Sequence, residues 1–310
     1  MNESPRRQKA NATASASRDP APDLDLRPGQ SLELLQELHI LTREGKLNQD
    51  SRRKLKQVYH LYQFIEKLLL ELPRDGSGVT LADHGAGKSY LGFIIYDLFF
   101  KSLPRGHIYG IETRPELVQK SRELAARLGF ERMAFLNLSV AESTASDALP
   151  SRIDVVTALH ACDTATDDAI DFGLTKQARY LVLVPCCQAE IARCLNANKA
   201  FSLRRTPLAE LWRHPLHTRE MGSQITNVLR CLYLEACGYQ VTVTELVGWE
   251  HSMKNELIIA RHTGKSNRSA VQRLHALLEE FGLTDLLATR YRLAPTLAPV
   301  HSSADPTPVV

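Results

Sequence analysis

The 310-residue sequence has no run of 18 or more apolar residues, so no segment qualifies as a membrane-spanning helix. No apolar stretch follows the basic residues Arg6, Arg7 and Lys9, and without one a secretory leader is not expected. Cysteine is scarce: Cys162, Cys186, Cys187, Cys194, Cys231 and Cys237 form no evenly spaced, loop-rich framework, which excludes a disulfide-stapled scaffold. Reduced thiols and a cytoplasmic setting are expected. A strong charge of either sign is also missing. Thirty-eight Lys and Arg against 35 Asp and Glu give +3, and only the distribution of that charge can speak to a polyanionic partner. There is no internal repeat. With 44% hydrophobic and 24% charged residues the chain is not disordered throughout. Its length allows one large or two small domains with an ordinary apolar core.

Polar, Ser/Ala/Pro-rich ends, residues 1–28 and 293–310, are expected to be disordered tails. Between them, 29–77 is expected to be a helical lead-in, 78–263 the main domain with a basic helical insertion at 196–237, and 264–292 a pair of C-terminal helices. Residues 31–72 read as helical. Leu55, Val58, Tyr62, Ile65, Leu69 and Leu72 share one stripe, Asp50 or Ser51 is the expected cap, and Pro73 and Gly76 the stop. Arg52, Arg53, Lys54 and Lys56 crowd the first turns against the helix dipole. They suit either a solvated face or an anionic substrate.

From residue 78 short apolar runs alternate with helical patterns: VTLAD, HIYGIE, MAFLNL, IDVVTALHA and RYLVLVPCC, each followed by polar or amphipathic chain. A helix over 219–237, with Met221, Ile225, Val228, Leu232 and Ala236 on one side, precedes YQVTVTELV and ELIIARHT. The expected fold is α/β: a Rossmann-like, seven-stranded, mostly parallel sheet with helices on both faces, its last two strands a hairpin-like edge.

The loop Asp83-His84-Gly85-Ala86-Gly87-Lys88-Ser89 joins the first strand to its helix. Glycines there allow backbone to approach a ligand at a helix N-terminus. Two ligand classes fit. A phosphate-cradling P-loop is matched by Gly87-Lys88-Ser89, but Ala82 stands where its opening glycine belongs and no acidic pair ends a later strand. An adenosine compound needs an acid at the end of the second strand for the ribose, and Glu112 is there; Asp83 could take an amino group.

With these residues, and with A158-L-H-A-C-D-T-A-T-D167, V184-P-C-C-Q188 and E250-H-S-M-K-N-E256, the sequence resembles the class I S-adenosylmethionine-dependent methyltransferases. The combination looks like the bacterial methyltransferase-domain family related to the methyltransferase domain of the glutathione-S-transferase C-terminal-domain-containing protein, and is similar, more distantly, to tRNA 2′-O-methyltransferases. The resemblance implies S-adenosyl-L-methionine as cofactor, held by Asp83, Gly85, Gly87, Lys88, Glu112 and Ser139. Leu138-Ser139 stands where the family usually has Gly-Asp, and His84 where it has Phe or Cys.

Ligands of open α/β sheets lie beyond the strand C-termini, which brings His160, Asp163, Cys186 and Cys187 to the same crevice as the candidate catalytic groups. His160 and Asp163 are the acid/base or acceptor-positioning pair, with Glu250, His251, Lys254 and Asn255 as the opposite wall; Asp163 could instead cap the following helix. A zinc site from His160 and the cysteines is disfavoured because adjacent Cys186 and Cys187 chelate a tetrahedral ion poorly, so no metal is expected. Arg204, Arg205, Arg213, Arg219 and Arg230 face only Glu210 and Glu220 in their stretch, with Trp212 among them, while 141–175 is acidic. That segregation suits an RNA acceptor. A methyltransferase, a P-loop nucleotide hydrolase and a non-catalytic binding protein of the same fold all remain open at this point.

Overall fold

Alternation along the strands builds two cores, one on each face of a single sheet. The computed structural model describes residues 26–73, 78–159, 161–185, 188–198, 207–246 and 256–293. Among them the strands are β1 (Thr80–His84), β2 (His107–Glu112), β3 (Met133–Asn137), β4 (Val155–Leu159), β5 (Tyr180–Val184), β6 (Tyr239–Glu245) and β7 (Glu256–His262). Their order is β3-β2-β1-β4-β5-β7-β6. The first five are parallel; β7 runs antiparallel to β5, and β6 antiparallel to β7. The expected hairpin edge is present, with β6 outermost.

Side chains of a strand point alternately to the two faces. Leu81, Val155, Tyr180 and Val182 therefore join one core with α2 (Gln49–Leu70), α3 (Tyr90–Leu98) and α4 (Pro115–Arg127). Ala82, Val156, Leu181 and Ile258 join the other with α6 (Ala165–Thr175), α7 (Glu190–Asn198), α8 (Pro215–Ala236) and α9 (Arg268–Glu280). Strand order reverses between β1 and β4. A crevice opens there at the strand C-termini, the position where such sheets take ligands. No helix of the described residues is long and apolar enough to cross a membrane.

The lead-in departs from one continuous helix over 31–72. It is α1 (Leu32–Glu37), then a loop, then α2. His39, at φ +55°, ends the first, and Gly45, at φ +75°, closes a turn in which its N–H donates to the Thr42 carbonyl. Asn48 caps α2 by accepting from the Ser51 N–H at 2.7 Å, so Asp50 and Ser51 lie inside the first turn. The expected stripe of α2 is buried, Val58 partly. Leu26 and Arg27, placed by composition in the N-terminal tail, instead pack on α2: the Arg27 guanidinium lies 4.7 Å from the Tyr62 ring centre and 3.4 Å from Glu66. Residues 1–25 and 294–310 of the expected tails lie outside the described residues.

On α8 the stripe is rotated from the one expected. Val228 is 48% exposed, whereas Leu229 is fully buried. A short helix not foreseen, α5 (Val140–Ala145), follows β3, with Ser139 and Glu142 forming a reciprocal capping box. The last helix is α10 (Leu286–Thr289).

Candidate functional site

The loop after β1 places three left-handed residues in sequence: Gly85 at φ +67°, Gly87 at +58° and Ser89 at +52°. Gly87 is needed there, since a side chain in this conformation is strained and its Cβ would stand 3.7 Å from the Arg114 guanidinium and 4.0 Å from Glu112 Oε2. Three of the loop's N–H groups are used internally. Ala86 donates to the Ile111 carbonyl at 3.0 Å, Ser89 to Ala86 at 2.7 Å, and Gly87 to Glu112 Oε2 at 2.7 Å. A P-loop aims these groups at phosphate. Here one of them already faces a carboxylate.

Glu112 closes β2 and faces a cleft of about 1130 Å³ lined also by His84, Gly85, Thr113, Leu138 and Ser139. Burial pushes its pKa up, but the Arg114 side chain, the Arg114 N–H and the Gly87 N–H outweigh burial and bring it down to about 2. It is ionised at every physiological pH. Asp83, one strand over, behaves oppositely. Burial raises its carboxyl to about 7, opposed by the Thr157 hydroxyl that donates to it at 2.8 Å and reinforced by the charge of Glu112. Thr157 is its cross-strand neighbour on β4. Asp83 is 3% exposed and is not among the residues that line the cleft.

His84 is the residue whose chemistry was least foreseen. It is 4% exposed, its ring centre lies 5.6 Å from that of Phe172, and neither ring nitrogen has a partner among the described residues. Burial holds its pKa down to about 4, so the ring is neutral. Lys88 is exposed on the outer turn of the loop and does not line the cleft. Ser139 does line it, with its hydroxyl engaged by Glu142 Oε2 at 2.6 Å.

At the second pair of strand ends, Asp163 (φ +50°) accepts from the N–H groups of Ala189 and Glu190 at 2.9 and 3.0 Å and from Arg193 at 3.0 Å. It therefore caps α7 and not the following helix α6, whose cap position is Thr164. Burial works against ionisation, but these donors prevail and hold the carboxyl below its usual range. His160, Cys186 and Cys187 lie outside the described residues, as do Glu250, His251, Lys254 and Asn255.

Beneath this end lies a buried polar network. Arg230 of α8, 1% exposed, makes a two-pronged pair with Asp167 at 2.9 and 2.5 Å. It also donates to the Asp163 carbonyl at 2.8 Å and to Asn227 at 3.2 Å. Asn227 accepts from Gln188 at 3.1 Å and donates to Glu256 at 2.6 Å. One arginine thereby links the segments after β4 and β5 with the start of β7. This corrects its assignment to a phosphate-gripping surface, because a guanidinium sealed by its own carboxylate is unavailable to an outside anion. The signal in the sequence was a charged residue set among the apolar neighbours Val228, Leu229, Cys231 and Leu232. Of the other basic residues in that stretch, Arg213 pairs with Glu210 at 3.0 Å and Arg219 with Glu220 at 3.3 Å, both exposed. Arg204 and Arg205 lie outside the described residues.

Residues 53–194 match the model of a family described as a methyltransferase domain. The chain is 23% identical over 234 residues to a glutathione S-transferase C-terminal domain-containing protein of Xenopus laevis, covering 70% of this chain and 35% of that protein. It is also 23% identical over 238 residues to the Homo sapiens protein of the same name, covering 71% and 35%. The chain thus spans about a third of the length of these relatives. Among solved structures, the magnesium protoporphyrin IX methyltransferase of Synechocystis with bound SAH aligns at 12% identity over 74% of this chain and 94% of that one, TM-score 0.43. A fibrillarin pre-rRNA processing protein of Methanococcus jannaschii aligns at 13% over 63% and 71%, TM-score 0.40.

Proposed function

We propose that this protein, whose residues 53–194 match a methyltransferase-domain family, transfers a methyl group from S-adenosyl-L-methionine to RNA. The observation that carries the cofactor part is Glu112. It is a carboxylate held ionised at the end of β2, tied to the glycine loop through the Gly87 N–H, and open to the cleft of about 1130 Å³. The residues fit an adenosine cofactor. A Cβ on Gly85 would have as its nearest neighbour the Ala161 side chain at 3.8 Å, so backbone there is approachable from the cleft. Glu112 supplies acceptors for ribose hydroxyls, and Leu138 an apolar wall beside Ser139 for the base. When bound, S-adenosyl-L-methionine supplies an electrophilic methyl group on a positively charged sulfur.

The chain's own tasks are then to hold the acceptor in line and to receive its proton if that acceptor is a hydroxyl. In this reading His160, with Cys186 and Cys187 at the adjacent strand end, does the latter. Asp163 is a positioning residue: its carboxylate is committed to α7, and its low pKa makes it a poor proton acceptor. The P-loop alternative is disfavoured by the internal use of the Ala86, Gly87 and Ser89 N–H groups and by the exposed Lys88.

The RNA part rests on charge. Arg52, Arg53 and Lys56 are exposed at the start of α2. Arg213 and Arg219 make exposed ion pairs, which contribute little and can be exchanged for phosphate. A cytoplasmic setting belongs to the same reading. The test is transfer from cofactor labelled on its methyl group to RNA, protein and small-molecule fractions. Label in the RNA fraction, lost in His160→Ala with cofactor binding intact, is expected. Cofactor binding with no label in any fraction would make the protein a non-catalytic binder.

A further inference from the structure

Five donors converge on the Glu112 carboxylate: the N–H of Gly87, the N–H, Nε and Nη2 of Arg114, and the hydroxyl of Thr113, at 2.7, 3.1, 3.0, 3.1 and 3.3 Å. A carboxylate offers about four lone-pair positions. The group that must take two ribose hydroxyls is therefore already fully subscribed. Its donors are not equally removable. The N–H groups of Gly87 and Arg114 are backbone, fixed by the glycine loop and by the start of α4. The guanidinium alone of the strong donors sits on a long side chain, 59% exposed, against a Glu112 side chain that is 7% exposed.

We propose that Arg114 is a latch on the nucleoside end of the cleft, its guanidinium competing with the ribose diol of an adenosine ligand for Glu112 and so setting the affinity for that ligand. The proposal rests on the reading of the cleft as the cofactor site. The exchange balances bond for bond, with two guanidinium N–H donors replaced by two hydroxyl donors. The released guanidinium passes into water, so no cation is stranded in a dry site. Glu112, in contrast, cannot be left alone: with the guanidinium gone and no diol present, a nearly buried anion keeps only its backbone donors and the Thr113 hydroxyl. Opening of the latch and arrival of the ribose are coupled for that reason. Ligands that lack the hydroxyls leave the latch closed.

The test is calorimetric titration of the full chain with S-adenosylhomocysteine. Deleting a side chain beside a ligand site ordinarily weakens binding; here Arg114→Ala is expected to tighten it by about two- to five-fold, the range an exposed ion pair commands. Raised salt, which screens the latch, is expected to improve wild-type binding and leave Arg114→Ala unmoved. Arg114→Lys, which keeps the charge and loses the fork, is expected to fall between the two and serves if the alanine variant is unstable. Equal or weaker binding by folded Arg114→Ala or Arg114→Lys overturns the latch. Failure of the underlying reading is distinct: the wild type then gives no heat with S-adenosylhomocysteine, or Glu112→Gln binds it as well as the wild type does, and the latch falls with it.

Discussion

Two arginine–carboxylate pairs flank the crevice, and they differ in what surrounds the guanidinium. Arg114 pairs with Glu112 at the glycine loop with its side chain 59% exposed; Arg230 pairs with Asp167 under β4 and β5 with its side chain 1% exposed. Both pairs are two-pronged. The first can come apart because water takes the cation, so its carboxylate remains available to a ligand. The second cannot, because separation leaves two buried charges, and it serves instead to fix the segments that carry Asp163, Gln188 and Glu256. Availability of an acid at this crevice follows the solvent exposure of its partner, and the bond lengths run the same way: 3.0 and 3.1 Å in the exposed pair, 2.9 and 2.5 Å in the buried one.

The largest expected effect breaks the buried pair. Arg230→Met leaves Asp167 charged and alone and is expected to cost about 3–5 kcal/mol in urea denaturation, with much of it recovered in Arg230→Met/Asp167→Leu. Equal costs for the single and double variants would remove the ion pair as the cause. Next is Gly87→Ala, which places a side chain in the left-handed region at about 1–2 kcal/mol; S-adenosylhomocysteine affinity is expected to fall with it, because Gly87 holds Glu112.

Two carboxyls of the glycine-loop end should then titrate in opposite senses. Asp83 binds its proton up to about pH 7 when folded but only to about 3.8 when unfolded, so stability is lost as pH rises between those values. Glu112 is held near 2, below its ordinary 4.5; its contribution is present above 4.5 and lost as pH falls toward 2. Asp83→Asn, which keeps an acceptor for Thr157, is expected to raise the melting temperature more at pH 8 than at pH 5. A gain of the same size at both pH values would show that Asp83 ionises normally. Smallest is Arg219→Ala. Its exposed pair with Glu220 predicts a stability change within about 0.5 kcal/mol, while methyl labelling of RNA should drop; unchanged labelling removes Arg219 from the acceptor surface.

The parallel sheet was legible because fully buried strands write themselves as apolar runs between helical patterns, and the glycine loop and Glu112 because their spacing is local. The break between α1 and α2 was hidden: apolar residues such as Leu38, Ile40 and Leu41 run through the loop and are buried there as thoroughly as in a helix. Asp163 was read as a cap, but of the wrong helix, since nothing in the chain near 163 announces that residues 189 and 190 fold against it. Arg230 counted as surface charge for the same reason. Its partner Asp167 lies 63 positions away, and only the packing of α8 on α6 brings the two together. His84 departs from the pattern of the family the sequence resembles; its burial without a partner among the described residues is visible only in three dimensions.

The proposal that the cleft takes the cofactor is tested most directly by titrating the full chain in parallel with S-adenosylhomocysteine and with ATP, for the wild type and Glu112→Gln. Saturable one-to-one binding of S-adenosylhomocysteine, lost or strongly weakened in Glu112→Gln, with no binding of ATP, is the expected result. Binding of ATP in place of S-adenosylhomocysteine, or S-adenosylhomocysteine binding indifferent to Glu112→Gln, would contradict it.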